Sequence, residues 1–472
     1  MAPKRKPPVP PYSALDLPKM KMVFEEAGFE AKQYHIDEYQ RKLHKAGYPD
    51  LEDFDWHSFP QQFIDLVMAN FKTHITKVVL NQTSANETTT KLLVELHDGH
   101  RVESVIMRHE TGRTTLCVSS QVGCKMGCTF CATGTMGIIG NLSAGEILEQ
   151  LVHADRVKKI RNIVFMGMGE PLNNFENVKA AVTAMVNTKQ FGLAFGHVTV
   201  STVGVTPKIR KLTEEMPFVN LALSLHAPNQ EMRSQIVPAA KAYKIEGLIE
   251  ALDDHMKTPL RAGAAANPDG EISNKKKKVR KAMIQYTMLD GPTATFECAH
   301  QLGKLCEGKN IIVNLIPYNT TDVKDKFQCP SLEHIEAFQK IVMGYGLYVF
   351  IRKTMGEDIA GACGQLVLQK EDEEKKEARD VEDLIAGQQS AKLDQRKGKV
   401  KTIGTGMGKR RKEDHSAKQD EMKRLAGGEN ASREGKRRKE ERGVNIAGVA
   451  VSVIAGLGMA ALVGYLLSRR RR

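Results

Sequence analysis

The sequence predicts an α/β fold in which a mainly parallel sheet carries helices on its outside, either doubly wound or curled into a full or partial barrel. Three observations lead there. Between Thr114 and Leu368, short β-rich runs alternate with helix-periodic stretches, the pattern of repeated βα units. A chain of 472 residues, 41% of them apolar, has material for roughly two or three domains and a large buried core. Polar and glycine-rich runs able to bind a ligand fall at the carboxyl ends of the expected strands, where (β/α) barrels place their sites, and this favours the barrel.

Residues 1–12 are basic and Pro-rich, and composition predicts disorder; no apolar h-region follows the basic residues, so this is not a secretory signal, nor is it an amphipathic transit peptide. Residues 13–100 read as a small accessory domain, with helices over Ala14–Gly28 and Phe59–Phe71. Strands follow over Lys77–Leu80 and Lys91–Met107, with Asp98-Gly99 as a hairpin turn. Residues 101–368 read as the main α/β unit. Its strands are expected over Thr115–Ser119, Asn162–Met166, His197–Thr202, Val219–Leu225, Ala282–Leu289, Ile311–Ile316 and Tyr348–Arg352. Helices are expected over Ala144–Lys159, Phe175–Thr188, Ile245–His255, Ala294–Glu307 and Leu332–Tyr345. The low-complexity stretch Arg261–Lys278 reads as a surface insertion.

Residues 369–442 are charged, poor in apolar side chains, and predicted to be a flexible tether. Residues 446–467 then run for 22 positions without a charge, long enough at about 1.5 Å per residue to cross a hydrocarbon core of about 30 Å. The competing reading, a helix buried in a globular domain, lacks another apolar segment after Ile385 to cover it. The expectation is therefore a transmembrane tail anchor with the enzyme-sized part facing the cytosol, in a mitochondrial, plastid or peroxisomal membrane. Gly448, Ser452, Gly456, Ala460 and Gly464 recur every four residues, a spacing that lets two membrane helices approach closely, although chance spacing in a Gly/Ala-rich span is the equal alternative.

Charge narrows the partners. Residues 391–472 hold 22 basic and 9 acidic side chains, which accounts for the whole net charge of +13, so the globular part shows no nucleic-acid footprint from its charge alone. The clusters Lys409–Lys412 and Lys436–Lys439 suit nuclear-import or RNA patches, or simply solvated chain. Eight cysteines are too few for a disulfide scaffold at this length, which favours reduced, metal-capable thiols.

Three of those thiols crowd into Cys124-Lys-Met-Gly-Cys128-Thr-Phe-Cys131, a C-x3-C-x2-C spacing just beyond the first strand of the unit. Three thiolates on one tight loop can hold three irons of a 4Fe-4S cluster and leave the fourth open to a substrate or cofactor. The alternative is a structural zinc site with Cys117 as fourth ligand, although zinc sites more often join two separated ligand pairs. Beyond the loop, Gly169 permits close backbone approach and Glu170 can accept from an ammonium group. Ser201, Ser224 and Asn314 can supply neutral hydrogen bonds, and Leu225-His226 sits at the end of the fourth strand; a histidine there can equally be a satisfied core residue.

The cysteine spacing is the signature of the radical S-adenosylmethionine (SAM) superfamily, and five runs narrow the resemblance. They are Thr115-Leu-Cys-Val-Ser-Ser-Gln-Val-Gly-Cys124, Gly167-Met-Gly-Glu-Pro-Leu-Asn173, Leu223-Ser-Leu-His-Ala-Pro-Asn229, Val313-Asn-Leu-Ile-Pro-Tyr-Asn319 and Gly356-Glu-Asp-Ile-Ala-Gly-Ala-Cys-Gly-Gln365. In this order they resemble the RlmN/Cfr family of radical SAM adenine methyltransferases from about Val102 to Leu366. The resemblance implies a partial (β/α) barrel with a 4Fe-4S cluster on Cys124, Cys128 and Cys131. It also implies SAM bound by Gly169, Glu170, Ser201, Ser224, Leu225, His226 and Asn314, and methylation of carbon 2, ahead of carbon 8, of an adenosine in rRNA or tRNA.

The resemblance further implies roles for three side chains. Cys363 is first methylated by one SAM; a radical from a second SAM takes a hydrogen from that methyl, and the resulting carbon radical adds to the base. Cys117 then resolves the protein–RNA link as a disulfide with Cys363, and Glu103 matches the proton-acceptor position. Partners follow: RNA, an electron donor such as a flavodoxin or ferredoxin system, and a membrane through the C-terminal helix. Cys298, Cys306 and Cys329 match no motif position and read as structural. The competing functions are a radical SAM enzyme with another substrate and a non-catalytic, membrane-tethered RNA-binding protein.

Overall fold

A computed structural model of the chain describes residues 5–6, 8–258, 280–321, 323–324 and 326–366. The insertion expected over 261–278, the tether over 369–442 and the span over 446–467 lie outside the described residues. Among the described residues no helix is long and apolar enough to cross a membrane.

The first module is a helical unit. Two short parallel strands, β1 (Tyr12–Ser13) and β2 (Phe71–Lys72), bracket α1 (Leu17–Glu26), α2 (Gln33–Lys45) and α3 (Gln61–Asn70). Asp16 caps α1 by accepting from the Lys19 N–H at 3.1 Å, and Pro18 sits in the first turn, where its missing N–H costs nothing. The three helices close on an aromatic core of Phe24, Tyr39, Phe54 and Phe63. Helix α2 has no counterpart in the sequence reading, because its buried face is only His35, Ile36, Tyr39 and Leu43 within a strongly polar stretch.

The expected boundary near residue 100 is corrected. Strands β3 (Lys77–Thr83), β4 (Thr89–Glu95) and β5 (Arg101–Arg108) form an antiparallel meander that belongs to the main sheet, because β5 pairs antiparallel with β6 (Thr114–Cys117). From β6 the chain makes β7 (Gln121–Gly123), α4 (Ala132–Thr135), β8 (Ile138–Asn141) and α5 (Ala144–Val157), then β9 (Asn162–Phe165) and α6 (Phe175–Val186). It continues through β10 (Val198–Thr202), α7 (Thr206–Glu215), β11 (Asn220–Ser224), α8 (Gln230–Ile236) and α9 (Ile245–Lys257). The last elements are β12 (Ala282–Met288), α10 (Phe296–Cys306), β13 (Ile311–Pro317), α11 (Leu332–Met343) and β14 (Tyr348–Ile351).

Strands β6 and β9 to β14 are parallel and lie side by side in chain order. A doubly wound sheet would reverse that order at a switch point, so the arrangement is singly wound. Because β14 and β3 are the two edges of one ten-stranded sheet, the barrel is partial. Leu116, Ile163, Val200, Leu221, Leu223, Ile284, Val313 and Leu315 are fully buried along its strands.

The expected disorder of residues 1–12 is also corrected where the structure describes them. The Arg5 side chain is 2% exposed and pairs with Asp98 at 2.5 Å and with the fully buried Glu146, while donating to the Asn141 carbonyl at 2.7 Å. Its backbone N–H donates to the Ile139 carbonyl at 3.0 Å. One side chain thus ties the start of the chain to the β4–β5 turn, to β8 and to the first turn of α5, where Ser143 and Glu146 make a reciprocal capping box. Composition could not show this, because the partners lie far along the chain.

Burial works to raise the Glu146 pKa, but hydrogen bonds from His97 and Arg5 outweigh it and hold the carboxyl below its ordinary value. A depressed folded-state pKa contributes stability above the unfolded value, and that contribution is lost as pH falls through the folded one. Arg5→Ala should therefore cost about 3 kcal/mol at neutral pH, the scale for stripping one partner from a buried pair. The deficit, read from thermal unfolding at pH 7 and pH 4, should shrink at the lower pH, where Glu146 in the variant takes up a proton.

Candidate active site

The cluster loop hangs from a small hairpin. Beyond Cys117 the chain enters β7, loops through Cys124, Cys128 and Cys131, and returns along β8, antiparallel to β7. Two glycines let it coil so tightly. Gly123 sits at φ +74°, and a Cβ there would collide with the Gly137 carbonyl, which accepts from the Cys124 N–H at 2.8 Å. At Gly134 a Cβ would stand 2.7 Å from the Cys128 carbonyl.

The three thiols line one open cavity at the carboxyl ends of β9, β10 and β11, together with Gly167, Gly169, Glu170, Ser201, Ser224 and His226. That is the end of a parallel barrel where sites are built. Burial pushes the Cys124 thiol up to about 12 and the Cys128 thiol well above its ordinary value. Such thiols keep their protons until a metal displaces them.

The alternative zinc set is not assembled. Cys117 is absent from the cavity lining, and no three His, Cys, Asp or Glu side chains among the described residues are grouped to hold a single metal ion. Three thiols on one loop suit a polynuclear cluster, in which each can bind a different iron.

Other residues lining the same cavity suit SAM. Glu170 is buried, and burial pushes its pKa up to about 7 despite hydrogen bonds from the backbone. One of its oxygens accepts from the Leu172 N–H at 3.0 Å and the other from the Val203 N–H at 2.9 Å, which fixes the carboxyl at the cavity edge. Gly169 has φ +103°, and a Cβ there would lie 2.6 Å from the Gln121 side chain, so only glycine fits. The Ser201 and Ser224 hydroxyls are 3.1 Å apart. Asn314 is buried on β13 outside the cavity lining; its Oδ1 has no partner among the described residues, leaving an acceptor for a donor the protein does not supply.

His226 occupies the left-handed region at φ +60°, a strained place for a side chain of its size. Burial and then Arg233 push its pKa down to about 3, so the imidazole is neutral. The Thr287 N–H can only donate, and it reaches Nδ1 at 3.3 Å, which leaves the proton on Nε2. The Leu225 side chain is fully buried in the core and absent from the cavity lining, and its N–H donates to the Gln285 carbonyl at 3.0 Å.

Cys363 lines the first cavity and also a small adjoining cleft with Met107, Pro317, Asn319 and Arg352. Its loop is bonded to the cluster loop, since the Ala132 N–H donates to the Gly364 carbonyl at 2.9 Å, and to the chain just beyond β13, since Asn319 Nδ2 donates to the Cys363 carbonyl at 3.0 Å. Cys117 is near enough to Cys363 to feel its charge; burial, then Cys363, raises the Cys117 pKa to about 12, with Arg352 opposing. Both are free thiols, so no disulfide joins them. Glu103 is buried and pairs with Lys91 at 3.1 Å. It stands two residues from Val105, the cross-strand partner of Cys117, and alternate residues share a face, so Glu103 and Cys117 face the same side of the sheet.

Sequence reasoning missed Gln285, Thr287, Asn319 and Arg352. Gln285 had a signal: it is a polar residue inside the apolar run Ala282–Met288, and the register sets it between Ser224 and Asn314 on neighbouring strands.

The singly wound sheet, the three-thiol loop at its carboxyl end and the polar residues lining the same cavity define a radical SAM enzyme, and residues 118–260 match the family model of the radical SAM superfamily. The chain is 35% identical over 350 residues to a probable dual-specificity RNA methyltransferase RlmN of Caldicellulosiruptor saccharolyticus, covering 74% of this chain and 94% of that one. It is 39% identical over 289 residues to the ribosomal RNA large subunit methyltransferase N of Nitrosopumilus maritimus, covering 59% of this chain and 76% of that one. A radical SAM methyltransferase structure from Sphaerobacter thermophilus superposes with a TM-score of 0.64 at 32% identity, covering 75% of this chain and 99% of that one. The chain belongs to the RlmN family of radical SAM RNA methyltransferases, whose cofactors are a 4Fe-4S cluster and SAM.

The expected membrane-anchored, cytosol-facing location is corrected. No described helix can cross a membrane, and the Caldicellulosiruptor relative is accounted for over 94% of its length by 74% of this chain, so family membership brings no membrane partner with it.

Proposed function

We propose that this chain methylates a ring carbon of an adenosine in rRNA or tRNA, carbon 2 ahead of carbon 8, with Cys363 as the carrier of the transferred carbon. Ring carbons of adenine are electron-poor and cannot attack the methyl of SAM directly, so a carbon radical is required. Cys124, Cys128 and Cys131 would hold the cluster, and Glu170, Ser201, Ser224 and Asn314 would hold SAM. Bound there, the two cofactors supply a methyl group and, by reductive cleavage of SAM with an electron from a flavodoxin- or ferredoxin-type donor, a hydrogen-abstracting radical.

The observation that carries this reading is the place of Cys363, lining both the cofactor cavity and a small adjoining cleft. From there its sulfur can receive a carbon in the cofactor cavity and keep it at the cavity mouth, where a base would approach. An unstacked adenosine is the form a base-modifying enzyme reaches. Glu103, which faces the same side of the sheet as Cys117, would take the proton from the ring carbon, and the adduct radical would return one electron to the oxidised cluster, so that a closed-shell thioether joins Cys363 to the base. Cys117 attacks the Cys363 sulfur; the S–S bond forms as the S–C bond breaks, and the electron pair left on carbon is protonated. An external dithiol then reduces the disulfide.

The test is nucleoside mass spectrometry of tRNA and large-subunit rRNA treated with anaerobically reconstituted enzyme, SAM and a one-electron reductant. The expected product is 2-methyladenosine. Cleavage of SAM with no methylated adenosine in either RNA would contradict the proposal.

A further inference from the structure

Arg233 heads the fully buried side chains of the described residues by size. A buried guanidinium is costly unless it meets an anion or satisfies all its donors. On α8, its Nε donates to the Leu225 carbonyl at 3.0 Å, and Nη2 donates to the Val203 carbonyl and to the Ser224 carbonyl at 3.4 Å. These acceptors fix the group beneath the carboxyl ends of β10 and β11. Nη1 has no partner, and no carboxylate among the described residues makes an ion pair with Arg233. Burial lowers its pKa to about 10, and the influence opposing burial is Cys128.

The helix that carries it is fastened to the cluster loop. The Thr129 N–H donates to the Ile236 carbonyl at 3.0 Å, and Met126, Cys128 and Phe130 pack with Ile236 and Val237. The titratable groups facing the guanidinium are therefore Cys128 of the loop, a thiolate only once a metal is bound, and the neutral His226.

We propose that Arg233 is a positioning residue whose counter-anion is the thiolate-held cluster, with the unpartnered Nη1 turned to the Cys128 side of the loop. This rests on Cys124, Cys128 and Cys131 being the cluster ligands. A 4Fe-4S core of charge +2 on three thiolates is a net anion, and it becomes more negative on reduction, so a fixed cation beside it favours both retention of the cluster and its reduced state. Net charge and hydrogen bonds to the sulfurs are the levers that set such potentials.

The test compares wild type, Arg233→Met and Arg233→Lys as full chains, metal-free and reconstituted. The carbonyls that lose a donor do so in both forms, so that cost cancels in the gain of thermal midpoint on reconstitution. The gain should fall to half or less in Arg233→Met, iron should pass to a chelator at least tenfold faster, and the cluster potential measured without SAM should become more negative; Arg233→Lys should lie between. Should Arg233→Met not fold, iron release and potential in Arg233→Lys decide. Equal gain, release and potential in variant and wild type would overturn the proposal. So would weaker SAM binding at an unchanged potential, which would give Arg233 to the SAM carboxylate. A wild type that takes up no iron would instead refute the ligand assignment beneath it.

Discussion

Replacing Cys363 with alanine is expected to lower RNA methylation by at least about a thousandfold, the scale on which loss of an obligatory covalent carrier is felt. The loop should survive the change, because its ties run through the Cys363 carbonyl to Asn319 and through the Gly364 carbonyl to the cluster loop, and not through the thiol. Iron content and reductive cleavage of SAM should persist. Intact-protein mass spectrometry adds a second readout: wild type incubated with SAM should gain one methyl, and Cys363→Ala should gain none. Retained methylation in the variant would move the carrier role elsewhere and leave a radical SAM enzyme of different chemistry.

The second large effect is opposite in kind. Cys117→Ala should trap the reaction after the carbon has joined the base, because no thiol remains to attack the Cys363 sulfur. Turnover should drop at least about a hundredfold, and a covalent protein–RNA species should appear on denaturing gels. The same species should be absent from Cys363→Ala and from the double variant. Placement explains the specificity: among the described thiols outside the loop, Cys117 is the one whose pKa responds to Cys363, while Cys298 and Cys306 are buried in the main core. A Cys117→Ala enzyme that turns over normally and leaves no adduct would contradict its role.

The barrel was legible because each of its parallel strands is a short β-rich run separated from the next by a crossover, a local pattern. The site was legible where motif residues fall at strand ends, as with Gly169, Glu170, Ser201, Ser224 and His226. What sequence could not show depends on contacts between distant segments. The meander of β3 to β5 joins the barrel only through hydrogen bonds from β5 to β6, so composition misplaced the domain boundary. Arg5 looked like part of a solvated basic start until its pairing with Asp98 and Glu146 was seen. Arg233 and Arg352 gave no signal, because a single charge in a mixed stretch reads as surface and only the fold reveals its burial or its cavity.

The central claim is that three loop thiols hold an iron cluster able to engage SAM. Its most direct test is metal analysis of the anaerobically reconstituted chain, coupled to EPR of the reduced protein with and without SAM. The account predicts about four irons per chain, a spectrum altered by SAM, and loss of both when Cys128 is replaced by alanine. One zinc per chain, no iron and no response to SAM would contradict it.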